Sequence, residues 1–227
     1  MPAAGAGLRL AEYDGAAAPV FGPGMGRAPR AEELGATGPF VTYRGFLIDT
    51  AEAQGNVDVA SAVKAAEHQI DIVDKAGLSP AMMDAFRAVP IRIAVSFMQG
   101  GSHYNGGAEV SLGSLQVDSD KPILLHEYMH VLEYQQFPDG ARNPTMMSFF
   151  ADAQARGLYP ASSYMMTNPG EYWAMTSSCY LNGTVAREPF TRDEIRERQP
   201  ELYRFLQSIF GPRGRAVNAG AAAPTSG

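Results

Sequence analysis

The sequence predicts an α+β fold in which a mixed lobe of strands and helices precedes a helical lobe. Three observations predict it. Short β-prone runs punctuate residues 41–112, helical periodicity separates them, and after residue 122 every helix start signal is followed by helical spacing. Of the 227 residues, 45% are hydrophobic and 19% charged, enough apolar material for one sizeable core.

Taken in order, residues 1–38 are rich in Ala, Gly and Pro without a sustained period and read as a flexible arm. Val41 to Thr50 is β-prone and reads as a first strand. Val59, Val63, Ala66, Ile70 and Val73 recur at spacings of four and three, one face of a helix that Gly77 ends. Ser79-Pro80 supplies an N-cap and first residue for a short helix through Phe86. Ile91, Ile93 and Val95 alternate with smaller or polar residues as in a half-buried strand. A glycine-rich loop then leads to a strand over Ala108, Glu109, Val110, Ser111 and Leu112.

The second half opens with a helix from about Pro122 to Gln136. Asn143-Pro144 and Asn168-Pro169 open two more. Thr191 and Glu194 form a capping box for a last helical region, bent by Pro200, that reaches Phe210 before Gly211. The expected organisation is an arm over 1–38, a folded domain over 39–212 and a disordered tail over 213–227.

Net charge is −6 with no long basic run, which argues against nucleic acid as a partner. No apolar stretch reaches the roughly 20 residues needed to span a bilayer. The N-terminus shows no secretory signal, since Gly15 to Phe21 is short and interrupted by Pro19. The one cysteine, Cys179, excludes an intrachain disulfide. Nothing in the pattern specifies a compartment or an oligomeric state.

Residues 126–130 read His-Glu-Tyr-Met-His. On a helix, positions four apart share a face with side chains about 5–6 Å apart, so His126 and His130 can converge on one Zn²⁺. Glu127 lies about 100° round the helix from His126. It flanks such a metal and is placed to take a proton from the water the metal acidifies. The competing explanation is a surface helix carrying two histidines by chance. Ile123, Leu124, Leu125, Val131 and Leu132 oppose it, because they bury the helix and buried imidazoles need partners.

A catalytic zinc usually takes a third protein ligand. A metzincin would carry glycine and histidine three and six residues beyond the second histidine, where this chain has Glu133 and Gln136. Of the remaining histidines, His68 falls on the first helix and His103 in the glycine-rich loop. Glu171, at the start of the helix opened by Asn168-Pro169, is the better candidate. Its local pattern has a second reading, with Asn168 as N-cap and Glu171 at N3 forming an ordinary capping pair. The residues alone leave both open.

The two motifs together, HExxH and, some forty residues later, Asn168-Pro169-Gly170-Glu171-Tyr172-Trp173-Ala174, resemble the gluzincin branch of zinc peptidases. The resemblance lies with the catalytic domain of anthrax lethal factor and the MtfA-type peptidases. It covers mainly residues 120–182. It implies a zincin-like fold, with a small sheet and edge strand ahead of the metal helix, and one Zn²⁺ held by His126, His130 and Glu171. It further implies Tyr164 as a group that assists the transition state and Glu133 as a residue supporting the ligands from behind. The chain departs from the family pattern at Met129, where a small residue is usual, and at Met175, where glutamate often follows the final alanine.

The resemblance thus implies an endopeptidase acting on a peptide or protein substrate, with Glu127 as general base. An extended peptide is expected to pair with the edge strand at Ala108–Leu112. Two other classes fit the same residues: a zincin-type binding module with weak or no hydrolysis, and an effector protease domain of a longer chain.

Overall fold

A computed structural model describes residues 39–94, 101–113 and 116–213. The expected arm over 1–38 and the tail from 214 onward lie outside the described residues. Arg213 is described, and its guanidinium donates to the carbonyls of Gly77 and Phe210.

The chain begins with a hairpin rather than one strand. β1 (Phe40–Tyr43) and β2 (Phe46–Asp49) pair antiparallel, with Tyr43 opposite Phe46. Arg44 and Gly45 form the two-residue turn, both at positive φ (47° and 81°), the conformation that matches the twist of a tight hairpin. The uninterrupted β propensity of residues 41–50 conceals that turn. Arg44 is held there by Asp71 and Asp74 of the following helix.

That helix, α1 (Val59–Lys75), is capped by the Asp58 carboxylate and buries Ala66, Ile70 and Val73, the periodic face read from the sequence. Gly77 follows its end at φ 64°. α2 (Pro80–Arg87) starts at the Ser79 cap. β3 (Ile91–Ile93) lies parallel to β2, and β4 (Val110–Leu112) parallel to β3, giving a four-stranded mixed sheet of order β1-β2-β3-β4. Val95 lies outside the described residues. β4 is shorter than the expected strand: Ala108 and Glu109 precede it.

The rest is helical: α3 (Ile123–Gln136), α4 (Pro144–Arg156), α5 (Pro169–Asn182), α6 (Arg192–Arg198) and α7 (Pro200–Phe210). The last region is two helices, because Gln199 leaves the helical conformation ahead of Pro200. The class is therefore α+β, with the sheet and α1–α2 on one side of α3 and the remaining helices on the other. A continuous cluster of buried side chains runs from Phe46 to Phe210 through both parts. No helix among the described residues is long and apolar enough to cross a membrane.

α3 is the central element, and two contacts fix it. Tyr128 stacks on Phe86 of α2 with centroids 4.5 Å apart and donates to the Val89 carbonyl at 3.2 Å. Pro122 offers the helix start no side-chain cap. Gln69 of α1, fully buried, takes that place: its Oε1 accepts from Leu124 N at 3.1 Å while its Nε2 donates to the Ser119 and Lys121 carbonyls.

Candidate metal centre

α3 presents His126 and His130 one turn apart, with ring centroids 5.0 Å apart and planes at 85°. α5 lies across α3 and is tied to it by Trp173, whose indole N–H donates to the Met129 carbonyl at 2.8 Å. That bond sets the first turn of α5 against the two histidines.

Glu171 stands in this first turn. Its backbone N–H donates to Asn168 Oδ1 at 2.9 Å, so the asparagine does cap the helix. The carboxylate does not complete a capping box. Its Oε2 instead lies 3.2 Å from His126 Nε2 and 3.7 Å from His130 Nε2. Asn168 thus caps the helix through the Glu171 backbone, while the Glu171 side chain turns towards the two histidines.

Three donor atoms, one from each of His126, His130 and Glu171, lie within 4.8 Å of one another and can hold a metal ion. Two observations test the fit. Ligands about 2.0–2.1 Å from a tetrahedral zinc stand roughly 3.3–3.4 Å apart, between the two separations just given. Glu171 Oε2 is also buried yet aligned as hydrogen-bond acceptor to no donor among the described residues. A buried carboxylate oxygen facing two imidazole nitrogens without a shared hydrogen is what a bridging cation would satisfy. The donor set of two imidazoles and one carboxylate suits zinc.

Behind His130, Glu133 Oε2 lies 3.1 Å from Nδ1. Glu133 is almost wholly buried, and its carboxylate rests against the first turn of α5. A Cβ on Gly170 would meet Glu133 Oε2 at 3.2 Å and Oε1 at 3.4 Å, as well as Asn168 Oδ1 at 3.2 Å. Gly170 thus provides room for the acid below the histidine. Burial works against a charged imidazole at His130, but the Glu133 and Glu171 carboxylates outweigh it and lift His130 to about 9. Burial also opposes ionisation of Glu171, yet the two histidines hold its carboxyl well below the usual range. A metal ion would take the place of the proton these acids now attract.

Glu127 is buried beside the pair, and its carboxyl is raised chiefly by that burial. Tyr164 lies on a short 3-10 turn (Tyr164–Met166), half-exposed, with its ring centroid 6.2 Å from that of His126. Burial of its hydroxyl region and the neighbouring Glu171 charge raise the phenol to about 12, so it stays protonated and able to donate. Glu127, His126 and Tyr164 line one cavity of about 300 Å³ with Ser102, Lys121, Met175 and Arg187.

The strand expected to receive substrate, β4, does lie at the edge of the sheet, but its outer side is occupied. The N–H and carbonyl of Ser111 are exchanged with those of His103 on the outer side of β4, and Gly113 N is bonded to Ser102 Oγ. The chain's own residues 102–103 cover that edge. Val110 and Leu112 bond inward to the β3 side, and the Glu109 carboxylate pairs with Arg92 at 2.6 Å. His68 pairs with the exposed Asp120.

Three contributors had no clear signal in the sequence. Lys121 stands just ahead of α3, and Arg187 reaches the cavity from a loop whose return depends on tertiary packing. Gly170 did leave a trace, since glycine inside a helical first turn costs about 1 kcal/mol relative to alanine and needs a packing reason.

No family model and no curated protein matches the chain. Among solved structures, the chain is similar to a Pro-Pro endopeptidase from Paenibacillus alvei, with 17% sequence identity and a TM-score of 0.39 over 69% of this chain and 94% of that one.

Proposed function

We propose that the chain is a zinc-dependent endopeptidase. The observation that carries the reading is the convergence on one point, beside a buried glutamate, of His126 Nε2, His130 Nε2 and Glu171 Oε2, which has no hydrogen-bond partner among the described residues. His126, His130 and Glu171 would hold the ion. When bound, zinc supplies a Lewis acid that acidifies water and polarises a carbonyl.

The remaining work falls to the side chains. Glu127 takes the proton of the attacking water at its carboxylate and hands it to the departing amine nitrogen. Burial raises its carboxyl, which makes the carboxylate a stronger base for the first of these transfers. Tyr164 donates its phenolic hydrogen to the carbonyl oxygen as negative charge grows there. Glu133 accepts from His130 Nδ1, fixing the tautomer that leaves Nε2 free to ligate. An extended peptide occupies the cavity along Tyr164 and Met175. Pairing with β4 would involve the end near Glu109, since Ser111 and Gly113 are already bonded to residues 102–103.

The test is metal content together with turnover. Purified protein should carry close to one zinc per chain and cleave members of a mixed peptide library, and Glu171→Ala should lose both. Full zinc occupancy in Glu171→Ala would return the carboxylate to a local role and remove the support for this reading.

A further inference from the structure

This inference rests on the peptidase reading and concerns which peptides it takes. The chain is acidic, at −6, yet the cavity wall beside the candidate centre carries two cations, Lys121 and Arg187. Most arginines in the described residues, among them Arg44, Arg92, Arg156 and Arg198, are paired with carboxylates. Neither Arg187 nor Lys121 has such a partner among the described residues.

Arg187 is nonetheless held in place. It lies within a loop closed at its base by Arg192 N to Gly183 O (3.0 Å) and Val185 N to Phe190 O (2.9 Å), with Thr184 bridging Thr191. Its guanidinium stands 5.0 Å from the centroid of the Tyr164 ring. Tyr164 in turn neighbours His126. A ring contact of this kind orients a guanidinium but uses none of its N–H donors. Among the described residues no carboxylate or carbonyl takes up the five donors of Arg187, which stand beside the candidate centre in the fork geometry that matches a carboxylate.

We infer that Arg187, aided by Lys121, binds a carboxylate of the peptide substrate, making acidic peptides the preferred class. The carboxylate comes either from an Asp or Glu side chain near the scissile bond or from a free C-terminus. Both offer the same two oxygens to the guanidinium.

The experiment uses zinc-loaded full-length protein and two matched peptide sets, one exchanging internal Asp/Glu for Asn/Gln, the other exchanging a free C-terminus for an amide. The wild type should favour the carboxylate member of at least one set by about tenfold to a hundredfold in kcat/KM, the range of a charge-assisted hydrogen bond. A preference confined to the first set identifies a side chain, and one confined to the second a chain terminus. Arg187→Gln should bring the ratio near one and Arg187→Glu should reverse it, whereas Arg187→Lys should retain part of it. A structural defect alone would lower both members of a set and leave their ratio unchanged. Equal cleavage of both members by the wild type, or an unaltered ratio in Arg187→Gln, overturns the inference while the peptidase reading stands. Failure of the zinc-loaded wild type to cleave any peptide overturns both.

Discussion

Glu133 Oε2 lies 3.1 Å from His130 Nδ1, one turn of α3 away, in a space that the glycine at position 170 leaves uncrowded. The acid sits at the N-terminal end of α5, where backbone N–H groups and the helix dipole favour negative charge. His130 is thereby fixed from behind, by a group on its own helix seated against the next one.

Glu133→Gln should weaken zinc binding by about tenfold to a hundredfold, the usual effect of losing a carboxylate behind a histidine ligand. Gly170→Ala should act in the same direction but less, since the carboxylate must yield by only a few tenths of an ångström. Competition with a chelator of known affinity measures both.

Glu127→Gln keeps the shape of the side chain but cannot take up a proton. It should retain zinc while turnover falls by about 10²–10⁴-fold, the range for positioned acid–base groups. Zinc analysis and peptide kinetics on one preparation separate the two effects, and normal turnover in this variant would assign the base elsewhere.

Tyr164→Phe should lower kcat by about 10² with little change in KM, because the hydroxyl is assigned to charge that appears only in the transition state. An equal rise in KM with kcat unchanged would make Tyr164 a binding residue instead.

Gln69→Leu removes the amide that satisfies the start of α3, leaving Leu124 N and the Ser119 carbonyl without their partner among the described residues, while the Lys121 carbonyl keeps the Ile123 N–H. The cost should be on the order of 3 kcal/mol in chemical denaturation. A change below about 0.5 kcal/mol, the scale of ordinary surface substitutions, would mean that water replaces the amide there.

The sequence made α3 legible for a physical reason: one turn of helix turns a spacing of four into shared direction, so His126 and His130 needed no tertiary information. Glu171 was legible only in part. The spacing from Asn168 fitted a cap as well as a ligand, and where the carboxylate points depends on Trp173 anchoring α5 to the Met129 carbonyl, a contact 44 residues apart. The hairpin turn at Arg44-Gly45 was hidden because its stabilising partners, Asp71 and Asp74, come from α1. The cover on β4 was hidden likewise, since glycine-rich residues 101–107 carry no pattern that says they fold back to pair His103 with Ser111. Arg187 reaches the cavity through a closure between Gly183 and Arg192 that no local period encodes.

Anomalous diffraction at the zinc edge, from crystals grown with zinc available, tests the central claim most directly. The account predicts one strong peak about 2.0–2.2 Å from His126 Nε2, His130 Nε2 and Glu171 Oε2. A zinc peak ligated elsewhere, or none between these three side chains in well-ordered crystals, would contradict it.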